Sequence, residues 1–333
     1  SDELDRMFHR GLEFAIAHPD AYPVVRKIDD AIRNEFGFGR YGLVRPETSA
    51  VDRPYCRIAT QRWLNNWIAD LTDEVATTVR AVAPGIRVLG DDPQGAVFPY
   101  DYARRWRSVD IVLHQTHDKP LPTDQATSGI VKLVRDIVGK PFWPCVHLSG
   151  SGYDLDEMRE IMSRAFRNGA TGLTVFNGGG DFGTENETAP ERWAYLKQIA
   201  RFYAAGNRAV LPERSRMAFL YSNYASMADY SRGLGAVYNL LGPASDAWFS
   251  VIDDCSLERG DVDPSQFDVI FVQFAEYSTP EVVRALDQAV RAGATVVLTT
   301  PEAFTRNIDG TILEEGAALR GGVQFASAVK SAR

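Results

Sequence analysis

The side chains best suited to chemistry recur at similar places, each at or just beyond the end of a short apolar run. Glu47 follows "RYGLVRP", Asp91 and Asp92 follow "IRVLG", and His114 and Gln115 close "VDIVLHQ" with His117 and Asp118 just beyond. His147 stands near the end of "PFWPCVHL", and Asn177 follows "TGLTVF". Two carboxylates facing each other across a gap can do acid/base work, one protonating a leaving oxygen while the other attacks or activates water. Glu47 with Asp91 or Asp92 is the pair this sequence offers. The plainer readings are that Asp91-Asp92-Pro93 is a turn, since aspartate and proline both favour one, and that Glu47 is a solvated loop charge.

Three of the five histidines, His114, His117 and His147, fall at two of these run ends. On an extended strand, residues three apart face opposite sides, whereas a zinc site needs three converging ligands. The histidines therefore suit contacts to a polar ligand better than a metal site, and no metal or cofactor is expected. Among the aromatics Phe98, Tyr100, Tyr102 and Trp143, the last lies nearest a run end and could offer a flat face to a ligand. Trp63 and Trp67, at helical spacing, are expected in the core. Gly178-Gly179-Gly180 lacks the spacing and lysine of a phosphate loop, and Cys255 in "DDCSLERG" is not in a nucleophile elbow.

The elements that must position these residues alternate. Strand candidates at 40–47, 86–92, 109–115, 141–148 and 171–177 are separated by "QRWLNNWIADLTDEVATTVRAVAP", "SGIVKLVRDIVG" and "DLDEMREIMSRAFRNG", whose apolar residues recur every three or four positions. Such alternation implies parallel strands joined by right-handed crossovers, with the polar run ends sharing one face, as in a (β/α)8 barrel. Residues 1–36 read as helix, "LDRMFHRGLEFAIAH" then "AYPVVRKIDDAIRNEFG". Five units fit the C-terminal part of such a barrel, and closure would need about three further strands. Near 206–215 the pattern restarts. Strands at 216–223, 247–254, 267–273 and 294–300, with helices near 229–241 and 280–292, read as a doubly wound, flavodoxin-like α/β sheet. The expected domains are 1–210, carrying the site, and 211–333.

The charge balance narrows the partners. There are 36 Lys and Arg against 44 Asp and Glu, a net charge of −8 without basic blocks, so neither nucleic acid nor a membrane surface is an expected partner. No run approaches the roughly 20 apolar residues that span a bilayer. Cys56, Cys145 and Cys255 are far apart and form no disulfide or zinc pattern.

Three stretches carry a resemblance. "LTDEVATTVRAVAPGIRVLGDD" resembles the helix-four to strand-five passage of glycoside hydrolase clan A barrels. "RMAFLYSNYASMADYSRGLGAVYNLL" and "FDVIFVQFAEYSTPEVVRALDQAVRAGATVVLTT" are similar to the trimerisation domain of family 42 β-galactosidases. The resemblance implies a glycoside hydrolase acting on a β-galactoside-like or other oligosaccharide, assembled as a homo-oligomer such as a trimer. It places the acid/base glutamate at Glu47, where Pro46 replaces the family's asparagine. The family's nucleophile would lie after "PFW", where Val146 and His147 stand instead. Glycosidic cleavage calls for carboxylates roughly 5–5.5 Å or 6.5–9.5 Å apart, so the partner of Glu47 is sought at Asp91, Asp92 or Asp118, or on the further strands that closure would need. His114, His117, Asp118, Trp143, His147 and Asn177 are then the expected sugar contacts. The alternative is a non-catalytic carbohydrate-binding or assembly protein without the nucleophile, and a metal-dependent hydrolase on the three histidines is a third reading.

Overall fold

The computed structural model describes residues 54–92, 100–116, 125–147, 154–176, 190–206, 215–229 and 248–321. The strand candidate at 40–47 and the helix candidate at 229–241 lie almost wholly outside these residues.

Helix α1 (Pro54–Val82) leads to β1 (Leu89–Asp92), a four-residue helix α2 (Tyr102–Arg105) and β2 (Ile111–Thr116). Next come α3 (Gln125–Leu133), continued by one π turn over Val134–Val138, then β3 (Phe142–His147), α4 (Leu155–Arg167), β4 (Thr174–Phe176) and α5 (Pro190–Ala204). The four strands form one sheet in chain order, β1-β2-β3-β4, with every pair parallel. Sequential parallel order of this kind is how strand-helix units succeed one another in a barrel.

Local chemistry sets the boundaries. Asp154 caps α4 by accepting from the backbone N–H groups of Asp156 and Glu157, while Glu157 reaches back to the Asp154 N–H. This reciprocal box satisfies donors that a helix start leaves open. Gly139, in the left-handed region at φ 67°, ends the π turn. At the other end of the sheet, the Asp110 carboxylate accepts from Val88 N–H and Arg80, both at 2.8 Å. That pair fixes the end of α1 against the start of β1 and holds the Asp110 carboxyl below its ordinary range.

A second parallel sheet holds β5 (Met217–Tyr221), β6 (Ser250–Asp253), β7 (Val269–Val272) and β9 (Thr295–Leu298) in the order β6-β5-β7-β9. Short helices α6 (Asn223–Ala228) and α7 (Asp254–Arg259) follow β5 and β6. Helix α8 (Pro280–Arg291) starts on a proline, which gives up no N–H that the first turn could use. Its Val282, Val283, Leu286 and Ala289 are buried. A 3-10 turn (Pro264–Gln266), a minor parallel pair, β8 (Tyr277–Ser278) with β10 (Arg306–Asn307), and α9 (Glu315–Gly321) complete the described elements.

The core crosses between the sheets. Val112, Phe142, Ile130, Met158 and Phe166 of the first region belong to one buried cluster with Phe219, Tyr221, Phe249 and Val251 of the second. A separate cluster, including Leu220, Ile270, Val283 and Leu298, lies within the second sheet and its helices. One expectation is corrected here. Neither Trp63 nor Trp67 is in the buried core: their rings stack with centroids 6.3 Å apart, Trp63 half-buried and Trp67 53% exposed, because α1 buries its other face.

Candidate functional site

Register decides which strand-end residues stand side by side. Asp91, Leu113 and Trp143 form one cross-strand row, and Asp92, His114 and Pro144 the next. Gln115, Cys145 and Thr174 form the row beyond, and His147, the last residue of β3, pairs with Phe176. Neighbouring rows belong to opposite faces of a pleated sheet, so Asp91 and His114 serve different sides.

The face of Asp91 opens to solvent. Asp91 is exposed, with Leu113 and Trp143 half-buried in its row. The Trp143 indole rests on the backbone at Gly172, where an added Cβ would collide with its Nε1 and Cδ1. Glycine is needed there for close approach. Farther along, Cys145 is buried, and burial pushes its thiol up; the charge of Asp91 adds to this, while a hydrogen bond with Thr174 opposes it. A thiol held protonated is a poor nucleophile, so Cys145 contributes packing to this face.

His114 lies on the other face. It is 2% exposed, with its ring 6.3 Å from that of Phe142 on the side packed by α3 and α4. Among the described residues no group of three His, Cys, Asp or Glu could hold a metal ion. Glu47, His117, Asp118 and Asn177 lie outside the described residues. The structure thus brings Asp91, Asp92, His114, Trp143 and His147 to the same end of one sheet, with Asp91 and Trp143 on one face and His114 on the other.

A second polar cluster was not singled out from sequence. At the ends of β5 and β6, Asp254 accepts from Ser222 Oγ at 2.9 Å and from the N–H groups of Asn223 and Tyr224 at 3.0 and 3.1 Å. Asp253 accepts from Asn223 Nδ2 at 2.8 Å and caps α7 through Ser256 N–H. Burial, reinforced by neighbouring carboxylates, raises Asp253 to about 6 and Asp254 to about 7. "VIDDCS" gives the residue types but not their burial. The bonds from Ser222, Asn223 and Tyr224 splice the start of α6 to the end of β6.

Fold and site together define an α/β protein whose first sheet has the parallel order of part of a (β/α) barrel, with carboxylates and aromatics at the strand ends. No family model and no curated protein matches the chain. Solved structures do. A β-galactosidase from the haloarchaeon Halorubrum lacusprofundi superposes with a TM-score of 0.65 at 13% identity, over 88% of this chain and 50% of that one. One from Bacillus circulans sp. alkalophilus gives 0.64 at 14%, over 90% and 50%. The GH42 β-galactosidase Gan42B of G. stearothermophilus gives 0.60 at 13%, over 92% and 50%. At such identities the likeness is one of fold, and this chain spans about half the length of these proteins. No helix among the described residues is long and apolar enough to cross a membrane.

Proposed function

We propose that this chain is the site-bearing part of a glycoside hydrolase acting on a β-galactoside-like sugar, with Glu47 as general acid/base and Asp91 or Asp92 as its carboxylate partner. The observation that carries the reading is the position of the two aspartates at the end of β1, in a fold shared with β-galactosidases. Asp91 faces solvent in the cross-strand row that ends on Trp143, with Leu113 between them, a row wide enough for a sugar ring to lie between the indole and the carboxylate. His117, Asp118, His147 and Asn177 are the remaining proposed sugar contacts.

A second reading is carbohydrate binding without turnover. It is favoured by the end of β3, where Val146 and His147 stand in place of a carboxylate, and by the apolar neighbours of Asp91. The experiment is hydrolysis across an aryl-glycoside and oligosaccharide panel by wild type, Glu47→Gln, Asp91→Asn and Asp92→Asn. Loss of a general acid lowers rate by roughly 10²–10⁴. Sugar binding without release of product by wild type replaces the first reading with the second.

The second sheet supports the assembly proposal. Its strands, taken in chain order, run second, first, third, fourth, the start of the flavodoxin-like order. No nucleophile elbow accompanies it, so its proposed role is packing copies together as a closed homo-oligomer.

A further inference from the structure

Three arginines stand in "YARRWR", the stretch that forms α2 and the turn after it, and two of them have acidic partners. Arg104 hydrogen-bonds Asn66 and pairs with Asp70, and Arg107 pairs with Asp73, all on α1. Arg105 has no such partner among the described residues. It is 8% exposed, and its Cζ lies 4.0 Å from the centre of the Tyr100 ring and 4.7 Å from that of Trp106. Its Nε and Nη1 are buried with no acceptor among the described residues, and so is the Nε1 of Trp106, itself 3% exposed.

The carboxylates on and beside α2 are already engaged. Asp101, which caps the helix, accepts from Arg259 and from the Arg104 N–H. Asp136, on the π turn packed against α2, accepts from Lys132 and from the Val251 N–H. The two aromatic faces attract the cation but accept no N–H lying in the guanidinium plane. A trapped water would satisfy a donor and bring no charge. A buried cation without a counter-charge is costly, and buried donors without acceptors add to that cost. A ligand with several acceptor oxygens and a negative charge meets both needs.

The seat of Trp106 shows where such a ligand lies. A Cβ added at Gly90 would collide with Trp106 Cζ3 and Cε3, so that edge of the indole rests on β1 and the opposite edge, carrying Nε1, points away from the strand. Gly90 shares its row with Val112 and Phe142, and Val112 stands two residues from His114, on the same face. Trp106 therefore packs on the His114 side of the sheet, across it from Asp91. We propose that Arg105 and Trp106 form an oxyanion site on this helix side, taking a phosphate, sulfate or carboxylate group through the guanidinium edge and the indole N–H. A planar guanidinium presents paired donors that match two oxygens of one such group, and the Tyr100 and Trp106 rings hold it in one orientation. The site is independent of the proposed hydrolysis, which uses the other face.

The test titrates the full chain with sodium phosphate, sodium sulfate and sodium acetate, each against sodium chloride at matched ionic strength, and reads no activity. The chain has six tryptophans, and the indole N–H resonance lost in Trp106→Phe identifies the signal of Trp106. That signal should shift with oxyanion and not with chloride, and the urea midpoint should rise with the logarithm of the oxyanion concentration, as for a ligand that binds only the folded chain. A response to phosphate and sulfate alone assigns a free tetrahedral ion, and a response to acetate assigns the carboxylate of an organic acid. Arg105→Met, which keeps the aliphatic stem, should abolish both readouts. Arg105→Lys keeps the charge but loses the fork and should weaken binding roughly tenfold, as for the loss of a hydrogen bond to a charged group. Trp106→Phe, which keeps a ring and removes the N–H, should also weaken the rise in urea midpoint, so the proposal stays open to refutation if Arg105→Met fails to fold. Wild type responding to the three oxyanions no more than to chloride would overturn it. So would a response that the Arg105 and Trp106 variants retain in full.

Discussion

Asp136 Oδ2 accepts the backbone N–H of Val251 at 2.8 Å across 115 residues of sequence, and Lys132 Nζ reaches the same oxygen at 3.1 Å. Lys132 is 2% exposed, its Nζ 3.8 Å from the centre of the Trp248 ring. One carboxylate thus neutralises a buried cation beneath the first sheet and completes a strand of the second. Burial lowers the lysine, and Asp136 opposes the shift.

Removing that carboxylate leaves the lysine buried and the Val251 N–H without its acceptor. Asp136→Ala should cost about 3–5 kcal/mol, the range for breaking a buried pair from one side. Lys132→Met should cost less, because the Asp136 carboxylate keeps the Val251 N–H and the neighbouring Arg135 guanidinium. Urea unfolding followed by tryptophan fluorescence and by circular dichroism checks this. Since the core spans both sheets, the two probes should give one coincident transition. Two separated transitions would contradict the shared core.

Asp253 and Asp254 predict a pH dependence of definite sign. An unfolded aspartate titrates near 3.9, whereas these are raised by burial to about 6 and about 7. Between those values the native state holds more protons than the unfolded one, so stability falls as pH rises. The contribution is fully present below about pH 4 and is lost as pH climbs through 6 and 7. Asp253→Asn should flatten this part of the profile, read as urea midpoints at pH 5 and pH 8. An unchanged wild-type slope in the variant would assign the dependence to other groups.

Gly172→Ala tests how Trp143 is seated. The added methyl would occupy the place of the indole Nε1 and Cδ1, so the ring must move, at a cost of about 1–3 kcal/mol for overpacking. Near-ultraviolet circular dichroism should change at the indole bands while the far-ultraviolet spectrum holds. A silent variant would mean that the ring does not rest on this backbone.

Much of the strand pattern was legible because apolar runs broken by Asp, Gly and Pro need no tertiary information. Val269–Val272 and Thr295–Leu298 fall inside the runs that predict them. Helix α1 starts at Pro54, seven residues before the periodic stretch that signals it, because Cys56, Ile58 and Ala59 are buried through contacts distant in sequence. Trp67 was misplaced for the converse reason: periodicity finds an apolar face but not what covers it. The division of the strand-end residues by face depends on register, which a list of run ends does not contain. The burial of Asp253 and Asp254 depends on α6 folding back over β6.

The division by face yields the sharpest expectation for the site. Asp91 is exposed in the row of Leu113 and Trp143, whereas His114 packs with Phe142 on the helix side. If sugar is bound on the Asp91 side, Trp143→Ala should raise KM or Kd several-fold with little loss of fold, since base and sugar stacking surfaces act mainly through binding area. Asp91→Asn should lower kcat by roughly 10²–10⁴ if it attacks or activates water. His114→Ala should behave differently. It hollows a packed interior, so it should lower the unfolding midpoint by an amount on the order of 1–3 kcal/mol and leave the binding constant of the folded protein unchanged. Titration of each variant with galactose and lactose, beside urea melts of the same samples, separates the two classes. A His114→Ala variant with native stability and weakened sugar binding would move the ligand to the helix side of the sheet.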